Sequence, residues 1–148
     1  MTQADAEEIA GWRYPEPYSF YDAAADANDL AELLDATRRG GEYVSVEDES
    51  GALAGFFQFK ERRPDAIEIG LGLRPDLTGR GLGSAFVEVG IGEVRARYGA
   101  VRIVLAVATF NRRAISVYER VGFVPVRTYM HWTNGGEWEF LELELRER

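Results

Sequence analysis

A chain of 148 residues, 46% hydrophobic and 28% charged, is sized for a single domain over residues 1–148 with a proper hydrophobic core. It has no cysteine and a single histidine, His131, which excludes disulfides, acyl-cysteine chemistry and histidine-rich metal sites, so no metal is expected. The formal charge of −8 argues against a nucleic-acid partner and suits a cationic one such as an amine. The longest apolar run, residues 103–108, is too short to cross a bilayer, and residues 1–8 lack the basic-then-apolar pattern of a secretory leader. The expectation is a cytoplasmic protein with no membrane partner.

In chain order, residues 5–12 read as a short helix. Residues 12–22 are dense in aromatics and interrupted by Pro15 and Pro17, so they cannot continue it. That segment either packs over the core or lines a pocket. Residues 26–38 read as one helix, with Leu30, Leu33 and Leu34 on one side and Gly40-Gly41 as the stop. Two strands, 42–47 and 53–60, form a hairpin around Asp48-Glu49-Ser50-Gly51, and 61–65 is a polar break. Residues 67–73 make a third strand that alternates with glycine until Pro75 ends it. Gly70 and Gly72 are costly in a plain strand and predict close approach of a ligand or another backbone.

Residues 84–98 read as a helix with two apolar stripes, Leu82, Phe86 and Val89 on one and Val87, Ile91, Val94 and Tyr98 on the other. Such breadth predicts burial against a sheet. Residues 101–108 form an apolar strand suited to a sheet centre. Asn111 caps a last helix with Ile115, Tyr118 and Val121 on one face and Gly122 as its stop. Strands 124–132 and 137–145 close the chain around Asn134-Gly135-Gly136. The sum is an α/β fold with a mixed sheet flanked by helices.

The segment Thr78-Gly79-Arg80-Gly81-Leu82-Gly83-Ser84, between a strand and a helix, is suited to phosphate. The first amides of a helix lack intrahelical partners, and the glycines let an anion reach them. A Walker loop fails for want of a lysine. The dinucleotide fingerprint fails because the required final glycine or alanine is Ser84 or Phe86, and the next strand ends without an acid for the ribose.

The same segment resembles the acetyl-CoA motif of the GNAT superfamily of N-acetyltransferases, Gln/Arg-x-x-Gly-x-Gly/Ala after a strand ending in hydrophobic-x-Pro. Here Leu73-Arg74-Pro75 ends the strand and Gly81-Leu82-Gly83 supplies the glycines, while Thr78 replaces the usual Gln or Arg. Residues 111–123 carry every defining position of the family's Asn-x-x-Ala-x-x-x-Tyr-x-x-x-Gly-Phe signature, from Asn111 through Tyr118 to Gly122-Phe123. The run 70–75 is similar to the bacterial ribosomal-protein-alanine acetyltransferase branch.

The resemblance implies a mixed, mostly antiparallel sheet with splayed central strands and about four helices, an opening strand for which little room precedes Asp5, and acetyl-CoA as co-substrate. It implies cofactor contacts from Leu71, Leu73, Gly79, Arg80, Gly81, Leu82, Gly83, Ser84 and Asn111, with the pantetheine arm along Leu71 and Leu73. Tyr118 becomes the acid that protonates the departing thiolate, and Leu73 N–H the oxyanion donor. A glutamate often used as base falls at Ala106, so Glu68 on the preceding strand replaces it, with Asp22 and His131 behind. Phe20, Tyr21 and Asp22, with Tyr18, fall where the family builds its acceptor site. The acceptor is a primary amine, either a peptide N-terminus or a small molecule, and a homodimer is possible on family grounds. The runner-up is a noncatalytic acyl-CoA-binding module.

Overall fold

The computed structural model describes residues 1–146. Helix α1 (Gln3–Ala10) opens the chain, and a reciprocal capping box between Thr2 and Asp5 closes its N-terminus. The helix therefore begins ahead of the expected Asp5. Short 3-10 turns at Tyr18–Tyr21 and Ala23–Ala25 follow the prolines. The single helix expected over 26–38 is two, α2 (Ala27–Leu34) and α3 (Ala36–Arg39). Asp26 accepts from the amides of Asn28 and Asp29, and Asp35 repeats the arrangement with Thr37 and Arg38. An aspartate that bonds its own backbone favours a cap over a helix interior, so Asp35 restarts the helix.

Six strands form one sheet: β1 (Tyr43–Glu47), β2 (Leu53–Arg63), β3 (Ala66–Leu73), β4 (Arg102–Ala108), β5 (Phe123–Thr133) and β6 (Gly136–Leu145). Their order is β1-β2-β3-β4-β6-β5, antiparallel throughout except for β3 with β4. β2 runs past the expected break at residue 61, because a bulge between Glu61 and Arg63 absorbs the polar stretch. The two-residue turn Asn134-Gly135 has positive φ at both positions, 53° and 76°, as a tight hairpin requires.

Helices α4 (Gly83–Tyr98) and α5 (Arg112–Val121) cover one sheet face, and α1 to α3 with the 11–25 segment cover the other. The larger core joins Phe57, Phe59, Ile69, Leu105 and Leu143 of the sheet to Phe86, Val87, Ile91 and Val94 of α4. Phe57 and Phe86 stack with ring centroids 4.5 Å apart, worth about 0.5–1.5 kcal/mol beyond area burial. The smaller core holds Ala6, Ile9, Trp12, Leu33 and Leu53. The breadth expected of α4 is only half realised, since Leu82 is 42% and Val89 55% exposed. Phe86 of that stripe is buried with Val87, Ile91 and Val94, while Leu82, Val89 and Tyr98 lie at the margins of the buried face and stay partly in water.

The central strands separate. β3 and β4 pair only where residues 66–68 face 102–104, and beyond Glu68 and Val104 they diverge.

Two glycines of α4 predict opposite signs. A Cβ at Gly90 would stand 2.7 Å from the buried Phe57 ring, so Gly90→Ala is expected to cost about 1–3 kcal/mol. A Cβ at Gly92 meets nothing within 4 Å, so Gly92→Ala is expected to add about 0.4–1 kcal/mol. Thermal denaturation followed by circular dichroism reads both.

Candidate active site

The site begins with backbone groups that lose their sheet partners. Arg74 N–H donates to the Ala54 carbonyl, so alternate residues Leu73 and Leu71 turn their N–H and C=O away from β2 and into the split. Arg102 N–H bonds Asp65 on the β3 side, so Ala106 and Ala108 face the split from β4. A cavity of about 1040 Å³ runs from the glycine turn through this gap to the opposite sheet face. Two tyrosines each bond one edge of it. Tyr14 donates its hydroxyl to the Leu73 carbonyl at 2.7 Å, and Ala108 N–H donates to the Tyr21 hydroxyl at 3.1 Å.

The aromatic segment thus realises both sequence alternatives. Trp12 is buried in the smaller core, while Tyr14, Tyr18, Phe20, Tyr21 and Asp22 line the cavity. Asp22 accepts from Tyr14 N–H at 2.9 Å, so its carboxylate fixes the segment. Phe20 meets Tyr21, Phe110 and Trp138 edge to face, forming one wall. Burial pushes the Tyr14 hydroxyl well above the ordinary tyrosine range, with the Asp22 charge adding to it. Burial likewise raises Tyr21. Both therefore stay neutral hydrogen-bonding groups.

The glycine turn is pre-shaped. Arg74 pairs with Asp76 at 2.6 Å and donates to the Leu53 carbonyl, fixing the 3-10 turn Pro75–Leu77. The Thr78 hydroxyl bonds the Pro75 carbonyl at 2.7 Å, so it locks the loop internally. Gly79 and Gly81 have φ of 72° and 76°, and a Cβ on Gly81 would meet no protein atom within 4 Å. Leu82 at the N-cap offers no side-chain acceptor, which leaves the first amides of α4, Gly83 and Ser84 among them, free for an anion. Gly83 lies so near Val117 that a Cβ would sit 3.3 Å from it. Arg80 and Ser84 do not line the cavity; they contribute charge at the turn and a backbone donor. Arg113, which the sequence reading missed, stacks on Tyr18 at 4.2 Å and reaches to within 3.9 Å of the Gly79 Cβ position.

The strand glycines have another cause. At Gly72 a Cβ would strike the Phe56 ring at 2.5 Å, and at Gly70 the nearest atom, on Gln58, is 3.5 Å away. A neighbouring side chain therefore accounts for Gly72, and Gly70 has ordinary space; close ligand approach is required at neither.

Asn111 caps α5 by accepting from Ala114 N–H at 3.2 Å, and both it and Tyr118 line the cavity. Burial, with Tyr21 nearby, pushes the Tyr118 hydroxyl far above its ordinary value. On the opposite sheet face, Glu68 accepts two bonds from Arg62, at 2.7 and 3.1 Å. Glu142, across β4 from Ala106, has a single 3.4 Å contact with Arg127. Tyr129 is raised by burial and then by the charges of Glu68 and Glu142. Asp29, also in the wall, is raised by burial and by Asp26.

A profile of the Acetyltransferase (GNAT) family matches residues 4–123. The chain belongs to this family. Mycothiol acetyltransferases of Salinispora tropica and Salinispora arenicola are 34% and 40% identical to it over 98 and 95 residues. Those matches cover 63% and 61% of this chain but 32% and 31% of the relatives, so it spans about a third of their length. A spermidine N-acetyltransferase from Vibrio cholerae, solved with CoA and spermine, shares the fold with a TM-score of 0.78 at 18% identity, covering 98% of this chain and 91% of that one.

The GNAT co-substrate fits the residues present. Its pyrophosphate needs several N–H donors on an approachable backbone, which the uncapped α4 start and open Gly81 provide. Its pantetheine amides need strand-edge partners, which Leu71 and Leu73 turn into the split. Among the described residues no group of acids and histidine is arranged to hold a metal ion, and no helix is long and apolar enough to cross a membrane.

Tyr14 and Glu142 are further residues that sequence reasoning missed. Tyr14 is 59 positions from its partner Leu73, and Glu142 depends on β4–β6 register, so no local pattern marks either.

The hairpin wall carries a pH dependence. Asp26 accepts from Asp29, Asn134 and Asn28 amides, which holds its carboxyl below the ordinary 3.8. A carboxyl whose folded pKa is depressed lends stability above its unfolded pKa and loses it as pH falls through the folded one. The 133–136 tip is therefore expected to loosen in acid below pH 3.8, and Asp26→Asn to reduce that acid-dependent loss. Amide hydrogen exchange at Asn134 measures it.

Proposed function

We propose that this protein is an N-acetyltransferase that moves the acetyl group of acetyl-CoA directly to a primary amine. The observation that carries the reading is one continuous cavity joining an uncapped helix start at the glycine turn to Tyr118 and to carboxylates on the far sheet face. A pocket with a phosphate cradle at one end and acids at the other suits two substrates that meet in the middle.

Acetyl-CoA supplies an activated thioester carbonyl. Residues 79–84, with Arg80 and Arg113 beside them, hold the phosphates, and Leu71 and Asn111 hold the arm. Leu73 N–H, turned into the split, faces the oxygen that gains charge. Tyr14 on the Leu73 carbonyl steadies that end of β3. Tyr118 protonates the leaving thiolate. Its raised pKa keeps it protonated at physiological pH but also makes it a weaker acid, so the transfer relies on the same burial disfavouring the thiolate. A carboxylate on the far face, with Glu68 as the sequence candidate, takes the amine proton.

Phe20 and Tyr21 shape the acceptor side, and Asp22 orders them. Asp29, Glu32 and Glu68 line the same cavity, interleaved with Lys60, Arg62 and Arg63, so a cationic acceptor would meet individual carboxylates within a mixed-charge wall. Polyamines, as in the Vibrio cholerae enzyme, small-molecule amines, and the peptide N-termini of the ribosomal-protein branch are the acceptors to test. The same reading keeps the protein in the cytoplasm, acting alone or as a homodimer.

Thiol release from acetyl-CoA with spermine, glucosamine and an alanine-initiated peptide tests the activity. CoA binding without release by any acceptor would return the noncatalytic module. Tyr118→Phe is expected to lower kcat by about 10²–10⁴-fold. Its acetyl-CoA affinity, read by thermal shift, should barely change.

A further inference from the structure

Glu142 stands on β6 directly opposite Ala106 of β4, and residues paired across antiparallel strands project to the same sheet face. Ala106 lies two residues beyond Val104, where pairing with β3 ends, so it borders the open part of the split. Its methyl leaves the space above it to the longer side chain next door. Both residues line the cavity, and only 17% of the Glu142 side chain is exposed.

Glu68 is placed differently. It is level with Val104, where the strands still pair, and it accepts two charge-assisted bonds from Arg62. Both bonds end on one oxygen, Oε2, and this close ion pair stabilises the charged carboxylate and makes it a weaker proton acceptor. Glu142 has one contact, 3.4 Å to an Arg127 that is 57% exposed, at the long limit for a hydrogen bond. Tyr129 lies beside both glutamates and both arginines, and Arg102 at the far end of β4 also feels the Glu142 charge.

We propose that Glu142 is the general base of the acetyl transfer, with Glu68 held on Arg62 as part of the pocket floor. This rests on the acetyltransferase reading of the cavity. Glu142 takes a proton from the acceptor ammonium, directly or through one water, and the freed nitrogen pair attacks the thioester carbon. The C–N bond forms, the C–S bond breaks and its electron pair leaves on sulfur, which Tyr118 protonates. Two protons leave nitrogen, one reaches sulfur by way of Tyr118 and its reprotonation, and one goes to solvent.

The test uses the full chain and whichever of spermine, glucosamine or the alanine-initiated peptide it acetylates best. Glu142→Gln is expected to lower kcat by about a hundredfold or more, with the thermal shift by acetyl-CoA unchanged. The deficit should shrink with hydroxylamine, an acceptor already uncharged at neutral pH. Ala106→Glu in the Glu142→Gln background should recover much of the loss, because it returns a carboxylate to the same face. Glu68→Gln should lose less than Glu142→Gln. Unchanged turnover in Glu142→Gln, an equal deficit with hydroxylamine, or a larger loss in Glu68→Gln overturns the assignment. An unaltered chain that binds acetyl-CoA but acetylates none of the amines overturns the transfer reading itself, a result visible before any variant is made.

Discussion

The rest of the structure depends on the point at which β3 and β4 stop pairing. Pairing ends after Glu68 and Val104, in the middle of the sheet, where unpaired N–H and C=O groups are costly unless something else bonds them. Two of these groups are satisfied within the protein, the Leu73 carbonyl by Tyr14 and the Ala108 amide by Tyr21. The others border a cavity, and a ligand with its own amides can pair with them. The gap is thus a sheet position kept for a guest.

The two ends of that gap are built differently. On one side, β3 runs through Arg74 and Pro75 into a loop whose positive φ glycines and uncapped helix start present bare N–H groups. On the other, side chains from β2, β3, β5 and β6 converge, with Glu68 and Glu142 each facing an arginine across a neighbouring strand. The hairpin tip and the aromatic segment close over this face through Asp26, Asn134 and Phe20, so the wall is a product of contacts more than a hundred residues apart in sequence.

Much of the fold was legible. The alternation of 53–60 and 67–73, the apolar run at 101–108, and the Asn134-Gly135 turn all mark strands that form, because those signals are local. The glycine turn and the Asn111 cap were legible for the same reason, being built within contiguous segments. Boundaries slipped where a short-range side-chain bond outweighed periodicity, as at Asp35 and Thr2. Gly72 was read as close approach of a ligand or another backbone, whereas the ring of Phe56 on the adjacent strand occupies that space.

By itself, the sequence determined the family, the helix caps, the glycine turn and the placing of Tyr118 on the face of Asn111. These rest on spacing within single elements, which backbone geometry converts directly into shape. Only the tertiary structure decided that Tyr14 and Tyr21 each bond one edge of the split, that Arg62 pairs with Glu68, and that Glu142 lies beside Ala106. Each of those turns on strand register or on a hydroxyl meeting a distant backbone group, and a one-residue slip of register would turn Glu142 to the other face.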